Sequence, residues 1–274
     1  MIGPRASEAA IRFEGLTKRY GVFTAVDGVD LEVAQGELFG FLGPNGAGKT
    51  TSIRMLVGSL RPSAGRVLVH GKDVVLEAME AKRRVGYIPD RPFLYDKLTG
   101  VEFLRFVAGL WGLEGELIDA RSAELLDLFG LTRWADTLIE SYSHGMRQKL
   151  LISSALVHSP EVIVVDEPMV GLDPKGARLI KDLLRAFTEQ GGTVFMSTHT
   201  LEVAEALCDR IAILEGGRVR AVGTMTELRA ASSAGGAGLE EVFLRLTGGT
   251  DVADVVGALR EAGQPAAPSA GGER

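Results

Sequence analysis

Residues Gly43 to Thr51 read GPNGAGKTT. Gly43, Gly46 and Gly48 lack side chains and accept positive φ, so the backbone can turn several amides inward together. Lys49, Thr50 and Thr51 follow at once. Clustered N–H groups, an ammonium and hydroxyls in one turn are the means of holding an anion. Ahead of the loop, Glu37 to Leu42 is short and apolar, as a buried strand is. Behind it, Ile53, Leu56, Val57 and Leu60 recur at helical spacing over Lys49 to Leu60. Strand, amide nest and helix N-terminus together make a phosphate site. With the spacing G-x-x-x-x-G-K-T, Lys49 reaches the β- and γ-phosphates of a nucleotide and the Thr50 hydroxyl sits on Mg²⁺. The alternative is a glycine turn that arose by chance.

Asp166 and Glu167 follow Val162, Ile163, Val164 and Val165 in EVIVVDEP, residues 161–168, which reads as an apolar strand ending in two carboxylates. Ligands of open parallel sheets sit at the carboxyl ends of strands. There an aspartate can hold Mg²⁺, directly or through water, and a neighbouring glutamate can orient an attacking water. The competing role is N-capping of a following helix. His199 ends FMSTH and is able to hydrogen-bond a γ-phosphate, or is an ordinary polar strand end. Tyr20, in LTKRYG, is able to stack on a purine, or is a core or surface tyrosine.

The elements that must position these groups follow from pattern. The chain has 274 residues, 46% of them hydrophobic, enough for one large α/β domain or two small ones. Short strands broken by Gly and Asp are expected at Ile11–Glu14, Val29–Val33 and Leu38–Leu42, then at 65–71, 85–88, 161–168, 193–198, 210–214 and 218–222. Helices are expected at 175–190, 201–208 and 239–248, with another from Asp251 to Glu261. From about Thr99 to His158 only helical spacing recurs, which predicts an all-helical insertion. Strands alternating with helices predict a largely parallel sheet covered on both faces. Net charge is −6, which disfavours nucleic acid as a partner, since its binders carry a basic patch or stripe. Cys208, the single cysteine, has no partner for an internal disulfide and is expected buried in a reducing compartment. The first ten residues lack the apolar core of a secretory signal, and no run of about 18 apolar residues occurs to span a membrane.

The segment YSHGMRQKL, 142–150, ends the helical insertion just before the carboxylate strand. Ser143 stands where an N-cap would for a helix over Gly145 to Val157. Here the chain resembles the ATP-binding subunits of ABC transporters, whose signature Leu-Ser-Gly-Gly-Gln falls on Tyr142, Ser143, His144, Gly145 and Met146. Tyr20 matches the aromatic A-loop, 43–50 Walker A, 162–167 Walker B with its glutamate, VGLDP at 170–174 the D-loop, and His199 the switch histidine. The ordered set covers about residues 11–249. His144 and Met146 depart from the signature, and Asp90, in GYIPDRPFLYDKLT, stands where the Q-loop carries Gln. Asp90 is shorter and charged, and is able to contact Mg²⁺ through water rather than directly as Gln does. Both departures, and the closing helix LEEVFLRLTG, resemble ABC-2-type exporter ATPases.

The resemblance implies an α/β fold: a P-loop NTPase core with a mostly parallel sheet, an N-terminal antiparallel β part and an inserted α-helical subdomain. It implies a flexible leader over 1–10, an ATPase domain over 11–230 with the helical subdomain at about 99–158, a linker and helices over 231–262, and a disordered tail over 263–274. It implies ATP and Mg²⁺ as ligands. The nucleotide would be bound by Tyr20, by Gly43, Asn45, Gly46, Ala47, Gly48, Lys49, Thr50 and Thr51, and by Ser143 and Gly145. Thr50, Asp166 and Asp90 would serve the metal, and Glu167, His199 and Lys49 the hydrolysis of ATP. Two copies would pack head to tail, each ATP lying between one loop and the partner's signature, with Asp173 coupling the sites. The partners implied are a second ATPase subunit, expected to be identical, and an integral membrane permease on a separate chain, which places the protein peripherally on the cytoplasmic face of the membrane. A soluble ABC ATPase of cofactor assembly or the ribosome is the alternative. A P-loop kinase, the third class, is disfavoured by the signature and by Glu167.

Overall fold

The computed structural model describes residues 9–90, 93–169, 174–231 and 239–247. The leader up to residue 8, Asp173 with most of its loop, the joint over 232–238, the helix over 251–261 and the tail over 263–274 lie outside the described residues.

Two long strands open the described chain, β1 (Ala9–Tyr20) and β2 (Phe23–Ala34), paired antiparallel. Strand β1 therefore begins inside the expected leader, and neither strand breaks where its glycines suggest. Gly15 and Gly28, at φ 55° and 62°, sit at register shifts of the ladder, where a bulge takes up the extra residue instead of ending the strand. Side chains satisfy the freed amides: Gly15 N–H donates to Asp30 Oδ1 at 2.7 Å and Gly28 N–H to Thr17 Oγ1 at 3.0 Å. Strands β4 (Ala64–Val69) and β5 (Lys72–Asp73) complete a four-stranded sheet in the order β2-β1-β4-β5.

A six-stranded sheet holds β3 (Leu38–Leu42), β6 (Val85–Ile88), β7 (Val162–Asp166), β8 (Thr193–Thr198), β9 (Arg210–Glu215) and β10 (Arg218–Gly223), in the order β10-β9-β3-β8-β7-β6. Every pairing is parallel except β9 with β10. Its inner strands are buried on both faces, so their runs of Val, Ile, Leu and Phe show no polar alternation. Period two still sorts the side chains. Leu38, Ile163, Val165, Met196 and Ile213 face a core shared with the helices, while Phe39, Phe41, Val164, Phe195 and Leu214 face the antiparallel sheet and α1 (Lys49–Leu56). Phe195 anchors the second core, with Phe39, Phe41 and Phe13 ring centroids at 5.8, 5.2 and 6.0 Å.

The helix after the glycine loop stops at Leu56, not Leu60. Gly58 adopts φ 67°, and its N–H and that of Ser59 return to the Met55 and Arg54 carbonyls at 3.1 and 2.9 Å, a glycine stop that closes the last turn. After α2 (Ala78–Arg83), the helical insertion contains α3 (Gly100–Leu110), α4 (Gly115–Leu128), two 3₁₀ turns and α5 (His144–Leu156), with no strand between Thr99 and His158. Thr99 and Glu102 form a reciprocal capping box at the start of α3. Then come α6 (Pro174–Glu189), α7 (Leu201–Leu207), α8 (Met225–Ala231) and α9 (Leu239–Thr247). Among the described residues no helix is long and apolar enough to cross a membrane.

Candidate functional site

The sheet register explains why distant segments meet. Leu42 pairs with Thr198, and Asp166 pairs with Ser197. Strands β3, β8 and β7 therefore end side by side, and the chain leaves them as Gly43, His199 and Glu167 at one edge.

The loop after β3 wraps back on itself. Lys49 is buried, and its Nζ donates to the Gly43 and Pro44 carbonyls at 2.5 and 3.2 Å. Gly48 has φ 106°, and a Cβ there would stand 2.4 Å from the Ala25 carbonyl oxygen. At Gly43 a Cβ would meet the Leu214 carbonyl oxygen at 2.4 Å. No side chain caps α1, so its first amides remain available to an anion in front of them. Gly43 and Ala47 shape the loop from behind: Ala47 is buried and its carbonyl accepts the Gly217 N–H at 3.0 Å.

The carboxylates divide into two kinds. Asp166, the last residue of β7, is 2% exposed. Burial raises its pKa, the Asp90 and Glu167 carboxylates add to that, and hydrogen bonds from the Ser197 and Thr50 hydroxyls oppose it. Glu167 has left the strand, which ends at Asp166 rather than running on through the second carboxylate. Its φ is 53°, an uncommon conformation for a residue with a side chain and a form of strain found where geometry matters. Its carboxylate faces His199, with Oε1 at 2.9 Å from Nδ1 and Oε2 accepting the His199 backbone N–H at 3.4 Å. Among the described residues neither carboxylate caps a helix. Lys49 is pushed below the ordinary lysine value by burial, and Glu167 and Asp166 partly restore it. Tyr87 was not foreseen. Its hydroxyl, pushed up to about 12 by burial and then by Asp166 and Asp90, stays protonated beside them.

The cleft holds about 440 Å³. Tyr20, Asn45, Gly46, Gly48, Lys49, Thr50, Thr51, Asp90, Asp166, Glu167 and His199 all line it. Phe23, which sequence reasoning missed, lines it as well, paired with Tyr20 across the β1–β2 turn. The signal was available, since an aromatic three residues beyond Tyr20 across Gly21 returns to the same hairpin end. Among its described lining residues the cleft has the carboxylates of Asp90, Asp166 and Glu167 and the ammonium of Lys49, a set that suits a cation carried with a phosphate. Its donors are hydroxyl and carboxylate oxygens, which suit a hard ion such as Mg²⁺. Among the described residues no three His, Cys, Asp or Glu side chains form a metal-holding group, so phosphate oxygens and water would complete the shell, as Mg²⁺ commonly requires.

Ser143 and Gly145 do not line this cleft. Ser143 caps α5, its Oγ accepting the Met146 N–H at 3.3 Å, and Gly145 borders a separate pocket against α6.

A family model described as ABC transporter matches residues 26–170. A daunorubicin resistance ATP-binding protein of Streptomyces coeruleorubidus is 42% identical over 94% of this chain and 76% of its own length. The linearmycin resistance ATP-binding protein of Bacillus subtilis is 38% identical over 85% of this chain and 77% of its own. A solved ATP-binding subunit of an ABC transporter superposes with a TM-score of 0.81 at 32% identity, over 86% of this chain and 99% of that one. A dimeric ATP-binding cassette in a post-hydrolysis state, bound to ADP and Pi, gives 0.72 at 27% identity, over 78% and 98%.

Proposed function

The chain belongs to the ABC transporter ATP-binding family, and from that premise we propose that it hydrolyses ATP in a head-to-tail dimer to drive a separate membrane permease, in the direction of export. The observation that carries the reading is the convergence of Lys49, Asp166 and the Glu167–His199 pair at the ends of β3, β7 and β8, with Ser143 and Gly145 left outside. A cleft that lacks its signature half is supported as one side of a composite site.

The chemistry follows from the residues. The loop amides and Lys49 hold the β- and γ-phosphates, Lys49 exchanging its carbonyl partners for phosphate oxygens. Thr50 and Asp166 would hold Mg²⁺ and Asp90 would reach it through water; the ion, when bound, stabilises charge on the phosphoryl oxygens. Glu167, fixed by His199, orients water in line with the γ-phosphorus and takes up its proton as the bond to the β-bridging oxygen breaks, giving ADP and phosphate. His199 keeps Glu167 placed and donates to the γ-phosphate. The partner's Ser143 and Gly145, at the positive end of α5, close the site. The cassette runs from β1, which begins at Ala9, to about residue 230, with Asp90 joining the site to the helical insertion. Relatives named for daunorubicin and linearmycin resistance and for Nod factor export support an exporter at the cytoplasmic face of a membrane.

Glu167→Gln is the test. It retains ATP binding, lowers turnover by about 10²- to 10⁴-fold, as loss of a general base does, and accumulates as an ATP-bound dimer on size exclusion. Captured with ATP from solubilised native membranes, it brings down a polytopic membrane protein. Normal hydrolysis overturns the role of Glu167. Recovery of soluble partners alone moves the reading to an ABC ATPase without transport.

A further inference from the structure

A second pocket, of about 380 Å³, opens between the first turns of α5 and α6 and is bordered by Gly145, Gln148, Lys149, Lys175, Leu179 and Ile180. Its charge is one-sided. Lys149 and Lys175 come from different helices, and among the described residues no carboxylate borders the pocket and neither lysine has an ion-pair partner. In a chain of net charge −6, two such ammonium groups on one concavity leave charge that an anion would satisfy. The start of α5, a 13-residue helix, adds the partial positive charge of its N-terminus. Gln148 supplies an independent observation. It is 5% exposed and borders the pocket, and its side-chain amide makes no hydrogen bond among the described residues. A largely buried side chain whose amide has no protein partner is placed to meet a ligand in the pocket it borders.

We propose that this pocket is an anion site that takes inorganic phosphate after ATP is cleaved at the adjoining Gly145 face. Lys149 and Lys175 supply charge-assisted hydrogen bonds, and the Gln148 amide donates a further one. The source of the phosphate rests on the two-copy reading above; the pocket itself lies within one chain. Phosphate leaving the composite site would pass from Gly145 one turn along α5 to Gln148 and Lys149, and Lys175 would draw it from the face where the copies meet.

The experiment is a titration of the full chain with inorganic phosphate, without nucleotide, followed by the Gly145 and Gly176 backbone amides in a ¹⁵N correlation spectrum. Lys49→Ala removes phosphate binding at the glycine loop. A saturable shift that becomes about tenfold weaker in Lys149→Gln/Lys175→Gln, in keeping with loss of a charge-assisted bond, supports the site. A shift that does not saturate, or that survives in the double variant, overturns it. Glycerol phosphate binding as tightly as inorganic phosphate assigns the pocket to a phosphomonoester headgroup and overturns the product role. Should the double variant not fold, Lys175→Gln alone, on the exposed first turn of α6, gives the same reading. On the Lys49 chain, phosphate inhibition of turnover weakens about tenfold in the lysine variants with KM for ATP unchanged; equal inhibition overturns the product role. A Glu167→Gln protein that never dimerises removes the two-copy reading and leaves the amide titration standing.

Discussion

The cleft at the ends of β3, β7 and β8 and the pocket between α5 and α6 are opposites. The cleft sets Asp90, Asp166 and Glu167 against one buried lysine, within rigid strand ends whose register is fixed by β8. The pocket has two lysines and a helix N-terminus, and among the described residues no carboxylate, where α5 of the helical insertion meets α6. The cleft therefore suits a metal-bound phosphate chain, and the pocket suits free anionic charge. A nucleotide with Mg²⁺ needs the first surface, while the charge it develops on cleavage needs the second. Cleft and pocket have different linings in one copy, so the head-to-tail pairing proposed above would bring unlike surfaces of two copies together.

The hardest test of this contrast separates the two surfaces onto different chains. Lys49→Ala disables the cleft, and Ser143→Arg obstructs the start of α5. Each variant alone is expected to lose turnover by about 10²-fold or more, as when a transition-state charge contact is removed. Mixed, they regain activity, because a dimer of one of each holds one site with both an intact cleft and an intact α5. Phosphate release measured on the mixture decides it. A mixture as inactive as its components means that cleft and signature do not work across copies.

Asp166→Asn probes the acidic side. Asp166 has its pKa raised by burial above the ordinary 3.8, so ionising it is harder in the fold than in the unfolded chain. The destabilisation is absent below pH 3.8, grows as pH rises through the interval up to the raised folded value, and is fully present above it. The Asn variant, which still accepts the Ser197 hydroxyl, should thus have a higher Tm at neutral pH without ligand, and should lose the extra Tm that Mg²⁺ with ATP gives the parent. At a pH below the interval the two Tm values converge. A lower Tm at neutral pH would show that Asp166 stabilises the fold and is not held there for a cation.

How far these surfaces were legible depends on whether their residues are local. Gly43 to Thr51 and the β7 carboxylates are contiguous, so spacing alone located them. Their meeting depends on pairings that sequence does not display, such as Asp166 with Ser197, 31 residues apart. Ser197 and Tyr87 were missed for that reason: each is an ordinary strand residue until the neighbouring strand puts Asp166 beside it. Gly15 and Gly28 misled in the other direction, since a bulge glycine and a strand-ending glycine look alike until Thr17 and Asp30 are seen to satisfy the amides. The lysine pair was invisible because Lys149 and Lys175 come together through helix packing across a strand and a loop.

Phe23 gives the finest test, because it belongs to the cleft without touching its charge. It pairs with Tyr20 where β1 turns into β2, both rings border the cleft, and Phe23 is 61% exposed. A large exposed aromatic at a hairpin tip contributes little to the core, so a base laid against the hairpin would cover it. One aromatic contact is worth about 0.5–1.5 kcal/mol beyond area, or roughly two- to tenfold in affinity. Phe23→Ala should raise KM for ATP by about that factor and leave kcat unchanged, since a contact made equally in ground and transition states affects binding alone. Phe23→Tyr should restore it. Since the Tyr20 ring has Lys18 Nζ 5.4 Å from its centroid, Tyr20→Ala should have the larger effect, and the ratio of the two reports how the base is shared between the rings. If Phe23→Ala instead lowers kcat with KM constant, the hairpin tip acts on closure of the two copies, and the division between a cleft that binds and an α5 surface that closes must be redrawn there.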